Sequence, residues 1–86
     1  MTKDLYLFKA LGEETKQDIL KTLLNEEVCA CDISKKINKK QANTSMHLSK
    51  LLEWKLVKCR RDGKSKIYSL NDPKIKKILE VVEKIK

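Results

Sequence analysis

From Val57 onward the apolar residues stop following a helical period and alternate on either side of Asp62-Gly63. That change constrains the fold more than any other feature of the chain. Asp-Gly supplies the backbone conformation of a tight hairpin turn, so residues 57–61 and 65–70 are expected as two antiparallel strands. A lone two-stranded ribbon is marginal in water and needs something packed against it. With two glycines and one proline in 86 residues, the rest of the chain has little turn chemistry for an all-β fold. It must supply the core as helices.

The flanking segments carry the helical period. Leu5, Tyr6, Leu7, Phe8, Ala10 and Leu11 are apolar almost all round a helical wheel, which implies burial on more than one side. In a chain this small the second side is expected to meet another subunit. Gly12 breaks the run. Residues 13–25 read as the next helix, with Ile19, Leu20, Leu23 and Leu24 on one face and Glu13-Glu14 at its positive end. A short helix at 32–37 and the polar turn Asn38-Lys39-Lys40 precede a longer helix at 41–54, whose apolar side is Leu48, Leu51, Leu52 and Thr44. Two helices joined by so short a turn form a helix-turn-helix, and the second enters the major groove. Asp72-Pro73 opens the last helix as N-cap and first helical residue, and Ile75, Ile78, Leu79, Val82 and Ile85 continue it. The order α-α-α-α-β-β-α predicts a mainly α winged helix-turn-helix with a small β-hairpin wing. It is expected as a single domain over residues 1–86, its first and last helices forming a dimer interface. Cys59 alternates with Val57 and is expected to face the core, as are Trp54 and Tyr68.

Charge narrows the partner. Twenty Lys and Arg oppose twelve Asp and Glu, a net +8. Residues 35–66 hold eleven basic side chains against Glu53 and Asp62 alone, a net +9 that leaves the remainder at −1. A one-signed block of this kind favours double-stranded DNA. A protein-interaction module with a basic face, meeting an acidic partner, is the reading from another class. No apolar run approaches 18 residues, so no membrane span is expected. The first five residues lack the long apolar stretch of a secretory signal. Three cysteines, an odd number, suit the reducing cytoplasm better than a disulfide framework. One histidine, no glycine-rich phosphate loop and no nucleophile with a plausible base give no ground for expecting an enzyme.

Candidate site residues follow from the helix-turn-helix. Gln41, Asn43, Thr44, Ser45 and His47 are placed to contact the groove, because amide side chains pair with adenine and hydroxyls serve base or phosphate. Lys39, Lys40, Lys50, Arg60, Arg61, Lys64 and Lys66 would position the protein on phosphates. Cys29 and Cys31 are candidate thiolate ligands for a soft ion such as As(III), Cd(II), Pb(II) or Zn(II). Residues two apart project about 200° from each other in a regular helix. The pair can therefore chelate together only where the segment is extended or just beginning its helix. Two ligands are too few for a closed zinc site, leaving Asp32, Cys59, water or a second subunit to complete one. Buried structural cysteines and a thiol-redox sensor are the competing readings.

Four blocks in sequence carry a family resemblance. Residues 11–20, LGEETKQDIL, are similar to the "L-[AG]-[DE]-x-T-R-x-x-I-L" helix of the ArsR/SmtB family of metal-responsive winged-helix repressors. Cys29-Ala30-Cys31-Asp32-Ile33 resembles that family's "C-V-C-D-[LI]" box. Residues 41–48, QANTSMHL, resemble its recognition-helix run "Q-x-x-x-S-x-H-L", and Val57 through Tyr68 resembles its wing. The resemblance spans about three quarters of the chain, from Leu7 to Leu70. It implies a homodimeric repressor that holds a palindromic operator and is released by an inducer at Cys29 and Cys31. The chain also departs from the family. Ser34 stands where arsenic-type members carry a third thiol, residues 1–11 hold no cysteine, and the last helix offers Glu80 and Glu83 but no histidine. A DNA-binding dimer without a metal site, constitutive or redox controlled, is the nearest alternative.

Overall fold

The computed structural model describes residues 3–85, excluding the side chains of Lys3, Asp4, Glu83 and Ile85. The place given to Ile85 in the apolar stripe and the side chain of Glu83 thus lie outside the described residues. Helices α1 (Lys3–Leu11) and α2 (Glu14–Thr22) come first, then strand β1 (Val28–Cys29) and helices α3 (Ala30–Ile37) and α4 (Gln41–Glu53). Strands β2 (Val57–Asp62) and β3 (Ser65–Leu70) form the wing, and α5 (Pro73–Ile85) closes the chain. This is a winged helix-turn-helix. The strand β1 is an addition to the expected order. Val28 pairs with Tyr68 and Cys29 with Ile67, so β3 lies in the middle of a three-stranded antiparallel sheet of order β1-β3-β2.

The helix-turn-helix turns without glycine because asparagine takes its place. Asn38 adopts the left-handed conformation, φ 58° and ψ 48°. Its amide donates to the Lys35 carbonyl at 3.3 Å and the Lys39 amide to that of Ser34 at 3.1 Å, closing a Schellman motif. Lys55 repeats the device after α4 with φ 60°, its amide on Leu52 and that of Leu56 on Leu51, both at 3.0 Å. The second helix ends at Thr22 rather than Asn25, because the Leu23 amide splits between the Ile19 and Leu20 carbonyls, both at 3.2 Å, and tightens the turn. Asp72 caps α5 as expected, accepting from the Lys74 amide at 2.9 Å.

One cluster fills the interior: Leu7 and Ala10 of α1, Ile19 and Leu20 of α2, Ile33 of α3, Leu48 and Leu51 of α4, with Leu56, Val57, Tyr68, Ile75 and Leu79. Trp54 is buried at its edge, stacked on Tyr6 with ring centroids 5.4 Å apart. Leu5 and Phe8 point away from this core and are exposed. Cys59 corrects the sequence expectation. Cross-strand partners share a sheet face, so Cys59, opposite Tyr68, does lie on the face of Val57. Yet Val57 is buried and Cys59 exposed: β2 is an edge strand, and the cover that buries Tyr68 on the central strand does not extend to Cys59 beside it. No helix of the described residues is long and apolar enough to cross a membrane.

Candidate nucleic-acid interface and thiol pair

The recognition helix α4 divides cleanly by burial. Thr44, Leu48 and Leu51 are buried, whereas Gln41, Ala42, Asn43, Ser45, Met46, Ser49 and Lys50 are exposed. Thr44, expected at the groove, is only 1% exposed, and its hydroxyl donates to the Lys40 carbonyl at 3.1 Å. It fastens the first turn and cannot reach a base. Ala42, Ser45, Met46 and Ser49, spaced i, i+3, i+4 and i+7, form the centre of the outward face. Ala42, Met46 and Ser49 were missed from the sequence. They lie opposite the Thr44-Leu48-Leu51 stripe, which was the signal that locates them. Met46 is 64% exposed, an apolar tip of the kind that meets a thymine methyl.

The candidate phosphate contacts separate into two groups. Lys39, Lys40, Arg61, Lys64 and Lys66 are exposed, and none of them forms an ion pair among the described residues. Arg60 instead forks onto Glu27, Nε at 3.1 Å from Oε2 and Nη2 at 3.5 Å from Oε1, and that hydrogen bond holds the Glu27 carboxyl below its ordinary range. Lys50 reaches Glu53 at 3.3 Å. No side chain caps the start of α4, which leaves its first amides available to an anion.

His47 does not stand free on this surface. Its Nδ1 lies 3.0 Å from Nζ of Lys16 in α2, and burial, then the Lys16 charge, push its pKa below the ordinary imidazole value.

Cys29 and Cys31 converge, their Sγ atoms 3.3 Å apart. The geometry answers the 200° objection: Cys29 is extended at φ −67° and ψ 145°, the last residue of β1, and Cys31 is in the first turn of α3. The Cys29 thiol is held below its usual range, first by the Cys31 backbone amide and next by the Cys31 thiol. Cys31 is pushed up, foremost by the same hydrogen bond to Cys29. These shifts make Cys29 the first of the two thiols to ionise, with the Cys31 S–H then the donor between them. The pair opens into a cleft of about 340 Å³ with Gln41, Ser45 and Ser49 of α4 on one wall and Lys64, Ser65 and Lys66 of the wing on the other.

As an ion site the pair is partial. Among the described residues no three His, Cys, Asp or Glu side chains converge, so Asp32 and Cys59 do not complete it. Cys29 pairs with Ile67 and Cys59 with Tyr68, and successive residues of β3 face opposite sides of the sheet. Cys59 lines a separate cleft with Glu27, Lys58, Arg60 and Ser69. A closed four-ligand zinc site does not fit within one chain. Two adjacent thiols do fit a soft ion whose remaining positions are filled from outside the chain.

Residues 13–58 match the family described as bacterial regulatory protein, arsR family. An uncharacterised HTH-type transcriptional regulator of Methanocaldococcus jannaschii is 35% identical over 80 residues, covering 92% of this chain and 90% of that protein. The chain belongs to the ArsR family. It is therefore a transcriptional regulator with a winged helix-turn-helix DNA-binding fold. The cadmium resistance transcriptional regulatory protein CadC homolog of Staphylococcus aureus is 37% identical over 75 residues, which are 86% of this chain and 62% of that longer protein. Among solved structures HlyU from Vibrio cholerae superposes with a TM-score of 0.90 at 28% identity, covering 96% of this chain and 90% of that one.

Proposed function

We propose that the chain is a homodimeric repressor that holds a palindromic operator in its reduced, ion-free form and lets go when a soft ion occupies Cys29 and Cys31. The observation that carries this reading is the position of the thiols: they open into the cleft between α4 and the wing, the two elements that would meet DNA. The outward face of α4 would lie in the major groove, with Lys39, Lys40, Arg61, Lys64 and Lys66 on the flanking phosphates. Bound at the two thiols, an ion would displace their protons and tie the end of β1 to the first turn of α3. Gln41, Ser45, Lys64 and Lys66 line that cleft, so a shift of α3 displaces the recognition helix and the wing's lysines relative to each other. Release then needs only the differential affinity usual for allosteric pairs, about 1–3 kcal/mol.

A redox reading rests on the same pair, since two thiols in contact, one of them easier to ionise, are the arrangement that oxidises. Operator affinity of the reduced protein, with and without Cd(II), Pb(II), As(III) or Zn(II), separates the two. Under ion control Cys29→Ser and Cys31→Ser abolish the response and leave ion-free binding nearly unchanged, because neither residue is on α4. Wild type that releases DNA with peroxide but with none of the ions supports redox control. If the double-thiol variant responds as wild type does, both readings fall and the DNA-binding dimer remains.

A further inference from the structure

Lys16 is an odd core residue. It is 4% exposed, and among the described residues no other charged side chain is buried so deeply. Three acceptors surround its ammonium: Glu13 Oε2 at 2.7 Å, His47 Nδ1 at 3.0 Å and the Trp54 ring face at 5.4 Å. Three donors and three acceptors leave the ammonium fully satisfied. An apolar side chain against Trp54 would nonetheless give the same packing without burying a charge. The placement of that charge asks for a reason beyond packing.

The donor–acceptor inventory supplies one. An ammonium has no lone pair, so Nδ1 of His47 must be the acceptor of this bond, and in the neutral ring the proton then sits on Nε2. The two ring nitrogens point in divergent directions, so an Nδ1 turned into the protein turns Nε2 outward. Among the described residues Nε2 makes no hydrogen bond to the protein. His47 is half-buried on the flank of α4, between exposed Asn43 and Lys50 and beside exposed Met46.

We propose that Lys16 is a positioning residue that fixes His47 as a neutral imidazole presenting Nε2–H to a hydrogen-bond acceptor on duplex DNA. The inference rests on the DNA-binding reading and names one of its donors together with the residue that aims it. Other charges around the ring act in the same sense or weakly against it. Lys39 at the turn before α4 opposes protonation, Glu13 favours it, and Lys9 of α1 lies over Trp54 and acts on Glu13. Burial and the Lys16 charge outweigh Glu13, so the neutral donor form prevails at neutral pH.

Two measurements test this on the full-length chain. In two-bond ¹H–¹⁵N spectra of the DNA-free protein, His47 should show a protonated Nε2 and a bare Nδ1, and Lys16→Met should raise its titration midpoint. Lys16→Arg, which still donates to Nδ1, should keep the wild-type tautomer and affinity, and it decides the matter if Lys16→Met does not fold. The second measurement is affinity for a fluorescent duplex enriched from a random pool by the wild-type protein. His47→Ala and Lys16→Met should each weaken binding about three- to tenfold, the scale of one hydrogen bond. The double variant should be no weaker than His47→Ala alone. Losses that multiply, or an Nδ1–H tautomer in the wild type, overturn the link between Lys16 and His47. Failure of the wild type to bind any duplex overturns the DNA reading itself, an outcome distinct from the other two. An equal loss on unselected duplex assigns the acceptor to phosphate, and a loss confined to the selected sequence assigns it to a base edge.

Discussion

Ser34 lies where the family resemblance places a third thiol, and it makes a poor core residue: it is buried and its Oγ has no hydrogen-bond partner. A buried hydroxyl without a partner keeps the cost of its lost hydration. Ser34→Ala should therefore stabilise the fold by about 1 kcal/mol, read as a shift of the urea midpoint at unchanged slope. His47 makes the opposite kind of residue-scale contribution, one that depends on pH. Its pKa is lowered in the folded chain by burial and by Lys16, so the unfolded chain binds the extra proton first. The stabilisation is thus complete above the ordinary imidazole value near 6.5 and is lost as pH falls through the lower, folded value. Glu13, also lowered, chiefly by its hydrogen bond to Lys16, adds a second loss below the carboxylate range. Thermal midpoints measured from pH 8 to pH 5 should decline for the wild type, and His47→Gln should flatten the part of that decline nearest pH 6. An unchanged slope in the variant would assign the loss elsewhere.

At the scale of elements, the two left-handed residues that end α3 and α4 differ in cost. Asparagine tolerates this conformation and lysine does so less well. Lys55 has φ 60°, and the contact made there is by its carbonyl, which accepts from Asn71 Nδ2 at 3.0 Å. Glycine keeps that carbonyl and removes the Cβ strain, so Lys55→Gly should stabilise by about 0.5 kcal/mol after its larger unfolded-state entropy is subtracted. Asn38→Gly should change stability by less, and chemical denaturation of the pair checks the order. These ends also show what was legible in the sequence. The wing declared itself because Asp62-Gly63 sits between alternating residues, and Gly63 does take φ 64°. The last helix did so through Asp72-Pro73 and its stripe. Strand β1 was not legible, since two residues have no period and their partner strand lies far along the chain. Nor was the convergence of Cys29 and Cys31, which depends on α3 starting at Ala30 rather than at Asp32. Thr44 carried two signals, polar chemistry and apolar spacing, and the spacing won. Cys59 had the right alternation for the core, but alternation assigns a sheet face and not what covers it.

At the scale of the whole molecule, α1 and α5 expose apolar side chains that the core does not use. Leu5 and Phe8 on α1, and Ile78 and Val81 on α5, are exposed at 48%, 66%, 37% and 56%, although both helices also bury residues in the core. A helix that is apolar on two sides needs two neighbours, which supports α1 and α5 as the dimer contact in the proposed repressor. Phe8→Lys and Val81→Lys leave the buried residues untouched, so far-ultraviolet circular dichroism should be preserved. Sedimentation should show each variant shifted toward monomer at micromolar concentration. The consequence for DNA can be separated from a change in the reading face. Lys39, Lys40, Arg61, Lys64 and Lys66 give five cations per subunit that form no ion pair among the described residues. Ten phosphates neutralised by a dimer correspond to a slope of log affinity against log salt of about −9, and five to about −4.5. The wild type should show the steep slope on a duplex with an inverted repeat. The lysine variants should fall to about half that slope and lose about a hundredfold in affinity or more, because the second half-site is no longer held by an intramolecular step. On a duplex with a single half-site, wild type and variants should converge. A wild-type chain that sediments as a monomer yet keeps the steep slope would show that one subunit supplies all the contacts, and would remove α1 and α5 from the interface.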